Sequence, residues 1–210
     1  MLPAGWEHPL DASTSVVTRS FADRLARAVS IACAPPMMAL PVAGLASWHA
    51  SDGDPVLASV VTFVVTMALL PTLFVYAAYL SGAISSPDMP RRSERLQPAL
   101  FTTLCAVAAY PLLRGVGAPG VFLSLDAALA TQMALLGVVT CWWKISYHAA
   151  GAAGLAVVAL SLGEPSTALP LLALPAVVGW ARIWLGRHTP SQVLAGLASA
   201  LPILWWMWPS

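Results

Sequence analysis

Residues 56–80 read VLASVVTFVVTMALLPTLFVYAAYL, with no charged side chain from end to end. About 20 apolar residues suffice to cross the hydrocarbon core of a bilayer as a helix, so this stretch reads as a transmembrane span. Outward from it, residues 29–48, 98–113, 121–143, 148–162, 168–185 and 190–208 have the same character. The whole chain agrees. Of its 210 residues 59% are hydrophobic and 9% charged, with a mean hydropathy of +0.77, whereas soluble domains carry about 25% charged residues. The expected fold is an all-α integral membrane protein, a bundle of six or seven transmembrane helices. Stretches 29–48 and 168–185 contain prolines, which membrane helices tolerate where neighbours re-satisfy the backbone. Stretch 148–162 is short, which suits a helix partly buried in the bundle.

The first 28 residues are polar and carry Arg19, Arg24 and Arg27. From Ser15 the apolar residues Val17, Phe21, Leu25 and Ala28 recur at helical spacing, which predicts a short helix lying on the membrane surface. The expected organisation is therefore a polar, interfacial segment over 1–28 and a membrane domain over 29–210. The N-terminus lacks the pattern of a signal peptide. Trp142, Trp143, Trp205, Trp206 and Trp208 mark interfaces. Cys33, Cys105 and Cys141 lie within apolar runs and form neither a disulfide framework nor a metal pattern. A net charge of +1 excludes a nucleic-acid reading based on bulk charge.

Charge between apolar spans is costly and therefore functional more often than not. Three basic clusters stand out: Arg91, Arg92 and Arg95; Lys144 with His148; and Arg182, Arg187 and His188. They follow the second, fourth and sixth stretches, so an even number of crossings separates them and all reach one membrane face, together with the N-terminus. Asp126 lies within a span near its opposite end. His49, Asp52 and Asp54 form a loop on the opposite face, without a believable metal-ligand spacing.

In the last cluster Arg182 precedes His188 by six positions. Thr189 suits a helix N-cap, Pro190 the first helical position, and Gln192 completes a Thr-x-x-Gln capping box. His188 is thus expected at the positive end of a helix, where the field attracts phosphate and disfavours an imidazolium. The Arg-x5-His spacing resembles the third signature motif of the type 2 phosphatidic acid phosphatase superfamily. Lys144-Ile145-Ser146-Tyr147-His148 resembles its second motif, with Tyr147 in place of a glycine. Arg91-Arg92-Ser93-Glu94-Arg95 is a weaker match to the first. That motif, Lys-x6-Arg-Pro, is out of register when anchored on Pro98, since it would require arginine at Gln97 and lysine at Pro90.

The resemblance implies a membrane lipid phosphatase that works without a metal ion or other cofactor. It implies His188 as the nucleophile of a phosphohistidine mechanism and His148 as the acid for the leaving oxygen. Phosphate ligands would be Arg182, Arg95, one of Arg91 and Arg92, Lys144, Ser146 and Arg187. Gln192 stands where the family usually has the aspartate that orients the nucleophile. Its amide either accepts from the imidazole, four residues back on the same helix face, or serves only the capping box. The His-Thr-x-x-Gln sequence is similar to that of polyprenyl and dolichyl diphosphate phosphatases, which points to an isoprenoid phosphate or diphosphate. A glycerophospholipid phosphatase (for phosphatidate or phosphatidylglycerophosphate) and a non-catalytic transporter or lipid-binding protein are the alternatives.

The expected partners are a lipid phosphate and the membrane, with a bacterial cell membrane as the expected location. By the span count every lysine and arginine except Arg114 lies on the motif face. With the site cations set aside, the remaining basic residues place that face in the cytoplasm; most members of the resembled family work on the outer or lumenal side.

Overall fold

The computed structural model describes residues 20–51, 53–162 and 165–207. Among these the regular elements are all helices. The protein is an all-α bundle. Val17 and the rest of residues 1–19, together with Asp52 and Trp208, lie outside the described residues.

Helix α1 (Phe21–Ala32) opens on a capping box absent from the sequence reading. The Ser20 hydroxyl accepts from the Asp23 N–H, and the Asp23 carboxylate accepts from the Ser20 N–H. The helix runs through position 28 and ends only where Pro35 and Pro36 begin α2 (Pro35–Trp48). Proline lacks the N–H that a continuing helix needs but fits a first turn. The apolar stretch expected at 29–48 is therefore the later part of a pair bent by 58°.

Residues 56–80 form one rod: α3 (Val56–Val64), a π-turn (Val65–Leu69) and α4 (Leu70–Leu80). The π-turn precedes Pro71, which cannot donate to the carbonyl four residues back, and the helix widens by a residue there. A 3-10 turn (Ser93–Arg95) leads into α5 (Leu96–Gly115), which packs along α6 (Gly120–Thr140). Among the described residues three helices are long and apolar enough to cross a membrane, residues 56–80, 93–115 and 120–140. The bent pair makes a fourth if it is one span.

Helix α7 (Tyr147–Leu162) is the centre of the second half. Its buried residues are nearly all alanine or glycine, and small side chains let helix backbones approach closely in a membrane. It packs against α2, α8 (Pro165–Leu172), α9 (Leu174–Trp184), α10 (Pro190–Ala198) and α11 (Leu201–Met207). The stretches expected as single spans at 168–185 and 190–208 are each broken, at Ala173 and at Ser199–Ala200. Pro175 and Pro202 explain both breaks, because neither can donate to the preceding turn.

The closest approach is between α10 and the start of α7. A side-chain carbon at Gly196 would lie 2.5 Å from the Ser146 carbonyl oxygen, so only glycine fits. The Ser146 N–H donates to the Gln192 carbonyl at 3.2 Å. This contact docks the loop that ends α6 onto the first turn of α10.

Candidate active site

The turn after α9 folds back on itself. Gly186 has φ +63°, a left-handed value that costs other residues about 1–2 kcal/mol. The N–H groups of Arg187 and His188 both donate to the Arg182 carbonyl, at 3.0 and 3.2 Å. Residues 182 and 188 are thereby held together, which gives the five-residue spacing its physical reason. Thr189 then caps α10 with Gln192, as its sequence predicts.

Gln192 settles the orientation of His188. Its Oε1 accepts from the Thr189 N–H at 3.2 Å and lies 3.2 Å from His188 Nδ1. A backbone N–H can only donate, so the oxygen of the amide faces this corner and Nδ1 must carry the proton. The lone pair is left on Nε2. One amide oxygen therefore fills both roles that the sequence offered as alternatives. Burial first, then the positive charges of Arg95, Arg182 and Lys144, push the His188 imidazole down to about 3; the ring is neutral and only 6% exposed.

Four cations surround it. Arg182, 1% exposed, donates through Nη1 to the Ser30 hydroxyl and through Nη2 to Asp88 Oδ1 at 2.9 Å. Its Nε is buried without a partner, a donor without an acceptor where such groups are usually satisfied. Arg187 Nε meets Asp88 Oδ2 at 3.0 Å. Arg95 is buried; it donates through Nε to the Met89 carbonyl at 2.8 Å and through Nη1 to the Ile145 carbonyl at 3.1 Å. Lys144 Nζ donates to the Arg187 carbonyl at 2.7 Å. Burial, then the charges of Arg95 and Arg182, lower its affinity for a proton. His148 Nε2 lies 3.1 Å from the Ser30 carbonyl, which can only accept, so Nε2 donates and Nδ1 is the nitrogen left for exchange.

Arg95, Arg182, Arg187, His148, His188 and Asp88 line one cavity of about 640 Å³. The same cavity is walled by Met38 and Val42 of α2, Met67 of the π-turn, Pro71 and Val75 of α4, and Leu129 of α6. Leu129 is eleven residues from the end of α6 at Thr140, about 16 Å along the axis. The space thus runs from the charged end deep into the apolar layer. Exposed Ile31, Met37 and Tyr76 form part of its lining, so it reaches the surface between the bent pair and α4.

Several sequence candidates stand elsewhere. Arg91, with its side chain 76% exposed, faces Glu94 at 4.0 Å, and Arg92 donates to the Cys141 carbonyl. Neither lines the cavity, so the expectation that one of them joins Arg95 is corrected: Arg95 is the arginine of that cluster turned inward. The Ser146 hydroxyl is buried and accepts from the Ala149 N–H at 3.3 Å, capping α7 rather than facing the cavity. Asp126 is buried in α6, away from it. His49 Nδ1 meets the Leu45 carbonyl at the end of α2, and Asp54 accepts from the Ser51 N–H within its loop.

Residues 120–210 match the PAP2 superfamily. This is the superfamily of the three motifs, and its members are phosphatases acting on phosphate esters. No curated protein and no solved structure matches the chain. The PAP2 match takes in the second and third motifs and leaves the first, with α1–α5, outside it. Among the described residues no three histidine, cysteine or carboxylate groups cluster as a metal site.

Two residues of the site were missed in the sequence. Ser30, which meets both Arg182 and His148, lies in an apolar run and gives no signal. Asp88 gives none either: the family match begins at residue 120, and the partner of Asp88, Arg182, lies 94 positions further along the chain. Burial opposes ionisation of Asp88, but the Arg182 and Arg187 guanidiniums beside it outweigh that effect and hold its carboxyl below the ordinary carboxylate range.

Proposed function

We propose that the protein is a metal-independent lipid phosphatase of the membrane, acting on an isoprenoid phosphate or diphosphate through a phosphohistidine. The observation that carries this reading is the fixed tautomer of His188 at the charged end of a long apolar cavity. With Nδ1 committed to Gln192 Oε1, Nε2 is a nucleophile that needs no prior deprotonation. Arg95, Arg182 and Arg187, which line the cavity, supply the positive charge that a phosphoryl group needs as its bond to the leaving oxygen breaks, while Lys144, outside the lining, holds the Arg187 carbonyl. Arginine does this by paired, rigid donors, the role that metal ions take in other phosphoryl transfers.

In the first step Nε2 of His188 bonds to phosphorus and the phosphorus–oxygen bond to the lipid breaks. The departing oxygen takes a proton from His148, whose Nε2–H stays on the Ser30 carbonyl while Nδ1 delivers the proton. Arriving phosphate favours the protonated form of His148 by its negative charge. In the second step water attacks the phosphohistidine, His148 recovers the proton, and inorganic phosphate leaves.

The apolar part of the cavity takes the lipid tail, and its opening beside Ile31, Met37 and Tyr76 gives a route from the bilayer. The His-Thr-x-x-Gln likeness favours an isoprenoid chain as that tail. Phosphate release from purified protein in excess EDTA, on a panel of prenyl phosphates, prenyl diphosphates and phosphatidate, tests the assignment. Prenyl substrates should be hydrolysed fastest, and vanadate should inhibit as a mimic of the five-coordinate state. A strict need for magnesium sinks the mechanism; preference for phosphatidate sinks the substrate class alone.

A further inference from the structure

Asp88 supplies an anion where the site is built to receive one. Its two carboxylate oxygens take Arg182 Nη2 and Arg187 Nε, at 2.9 and 3.0 Å. Both guanidiniums line the cavity with His188. Each donor engaged by Asp88 is withheld from a phosphoryl oxygen, while the buried Nε of Arg182 still waits for an acceptor. Beside it Met89 adopts φ 43°, uncommon for a residue with a side chain, and its carbonyl is fastened by Arg95 Nε. The Asp88 side chain is 29% exposed, so it has room to rotate outward.

Resting on the phosphate-site reading above, we propose that Asp88 is a tethered competing anion that makes the site selective for dianionic terminal phosphates over monoanionic phosphodiesters. The membrane around the protein is full of phosphodiester headgroups. A diester brings one negative charge, which Asp88 already supplies at the high effective concentration of a tethered group. Exchanging one for the other gains no charge and costs the ordering of a second molecule. A terminal phosphate or diphosphate brings at least one charge more and a further unesterified oxygen, so it displaces the carboxylate. The return of Asp88 after hydrolysis then helps to expel inorganic phosphate.

Calorimetric titration of the detergent-solubilised protein with inorganic phosphate at about pH 8, where it is dianionic, and with dimethyl phosphate, a monoanionic diester, tests this. The wild type should bind phosphate and reject dimethyl phosphate. Asp88→Asn should bind phosphate about tenfold tighter, because the site is no longer occupied by its own ligand most of the time, and should acquire binding to dimethyl phosphate. Asp88→Ser should behave alike, with thermal melting to check that each variant is folded. Folded variants that bind phosphate no tighter, or more weakly, overturn the proposal and make Asp88 a support for the arginines. Equal binding of both anions by the wild type overturns it without any variant. Absence of phosphate binding in every protein overturns the phosphate site itself.

Discussion

Residues 182–192 and residues 88–95 both deliver arginine to one cavity, but by opposite means. In the C-terminal segment position follows from local backbone chemistry. The Arg182 carbonyl takes the N–H groups of Arg187 and His188, Gly186 permits the turn, and Thr189 and Gln192 close the box that orients the imidazole. In the earlier segment position depends as well on groups far along the chain. Arg95 is held by the Met89 carbonyl within its own segment and by the Ile145 carbonyl, and Asp88 is held by Arg182 and Arg187. The PAP2 match covers the first of these segments and not the second. Locally encoded geometry leaves a motif with fixed spacing; geometry set by distant partners leaves residues whose meaning depends on what packs against them.

The sharpest break of the comparison is at the local end. His188→Ala should lower turnover by about 10⁴-fold or more, on the scale seen when a nucleophile is removed, while the thermal midpoint changes little. Substantial turnover in the folded variant removes His188 from the chemistry. At the distant end, Arg95→Lys tests whether long-range placement needs the fork. Arg95 uses two different nitrogens on two carbonyls, and a lysine ammonium cannot span both. Stability should fall by about 1–3 kcal/mol, with a loss of turnover that restored charge does not repair. An Arg95→Lys protein as stable and active as wild type shows that charge alone matters there.

Gln192 probes the junction of capping and chemistry. Gln192→Leu should lose about 1 kcal/mol of stability with the cap and about tenfold in turnover with the imidazole hydrogen bond. Gln192→Asp should keep both. Loss of stability without loss of turnover would separate the two roles that one oxygen now joins.

The remaining prediction concerns pH dependence. The folded His188 value, about 3, lies below the ordinary value of about 6.5, so the fold binds this proton less well than the unfolded chain. Its contribution to stability is therefore present above about 6.5 and lost progressively as pH falls toward the folded value. The thermal midpoint of the wild type should drop more between about pH 7 and 5 than that of His188→Ala. Parallel curves would show that the imidazole is not held neutral by its surroundings.

Much of the fold was legible, because membrane burial imposes a crude and strong pattern. The run 56–80 could only be a helix, and α5 and α6 follow the same rule. The breaks were not placed. Prolines were visible at 35, 36, 175 and 202, but whether a proline bends, breaks or is absorbed depends on its neighbours; Pro111 lies inside an unbroken α5.

The sequence by itself determined the apolar helices and the capped turn holding His188. Each depends on residues close together in the chain, where spacing and geometry are nearly the same thing. Only the tertiary structure decided that Arg95 faces inward while Arg91 and Arg92 do not, that Ser146 caps a helix, and that Ser30 and Asp88 belong to the site. The placements of Arg92, Arg95, Ser30 and Asp88 rest on contacts across 49 to 152 residues of chain, and which partner fills such a contact is fixed by the packing of whole helices.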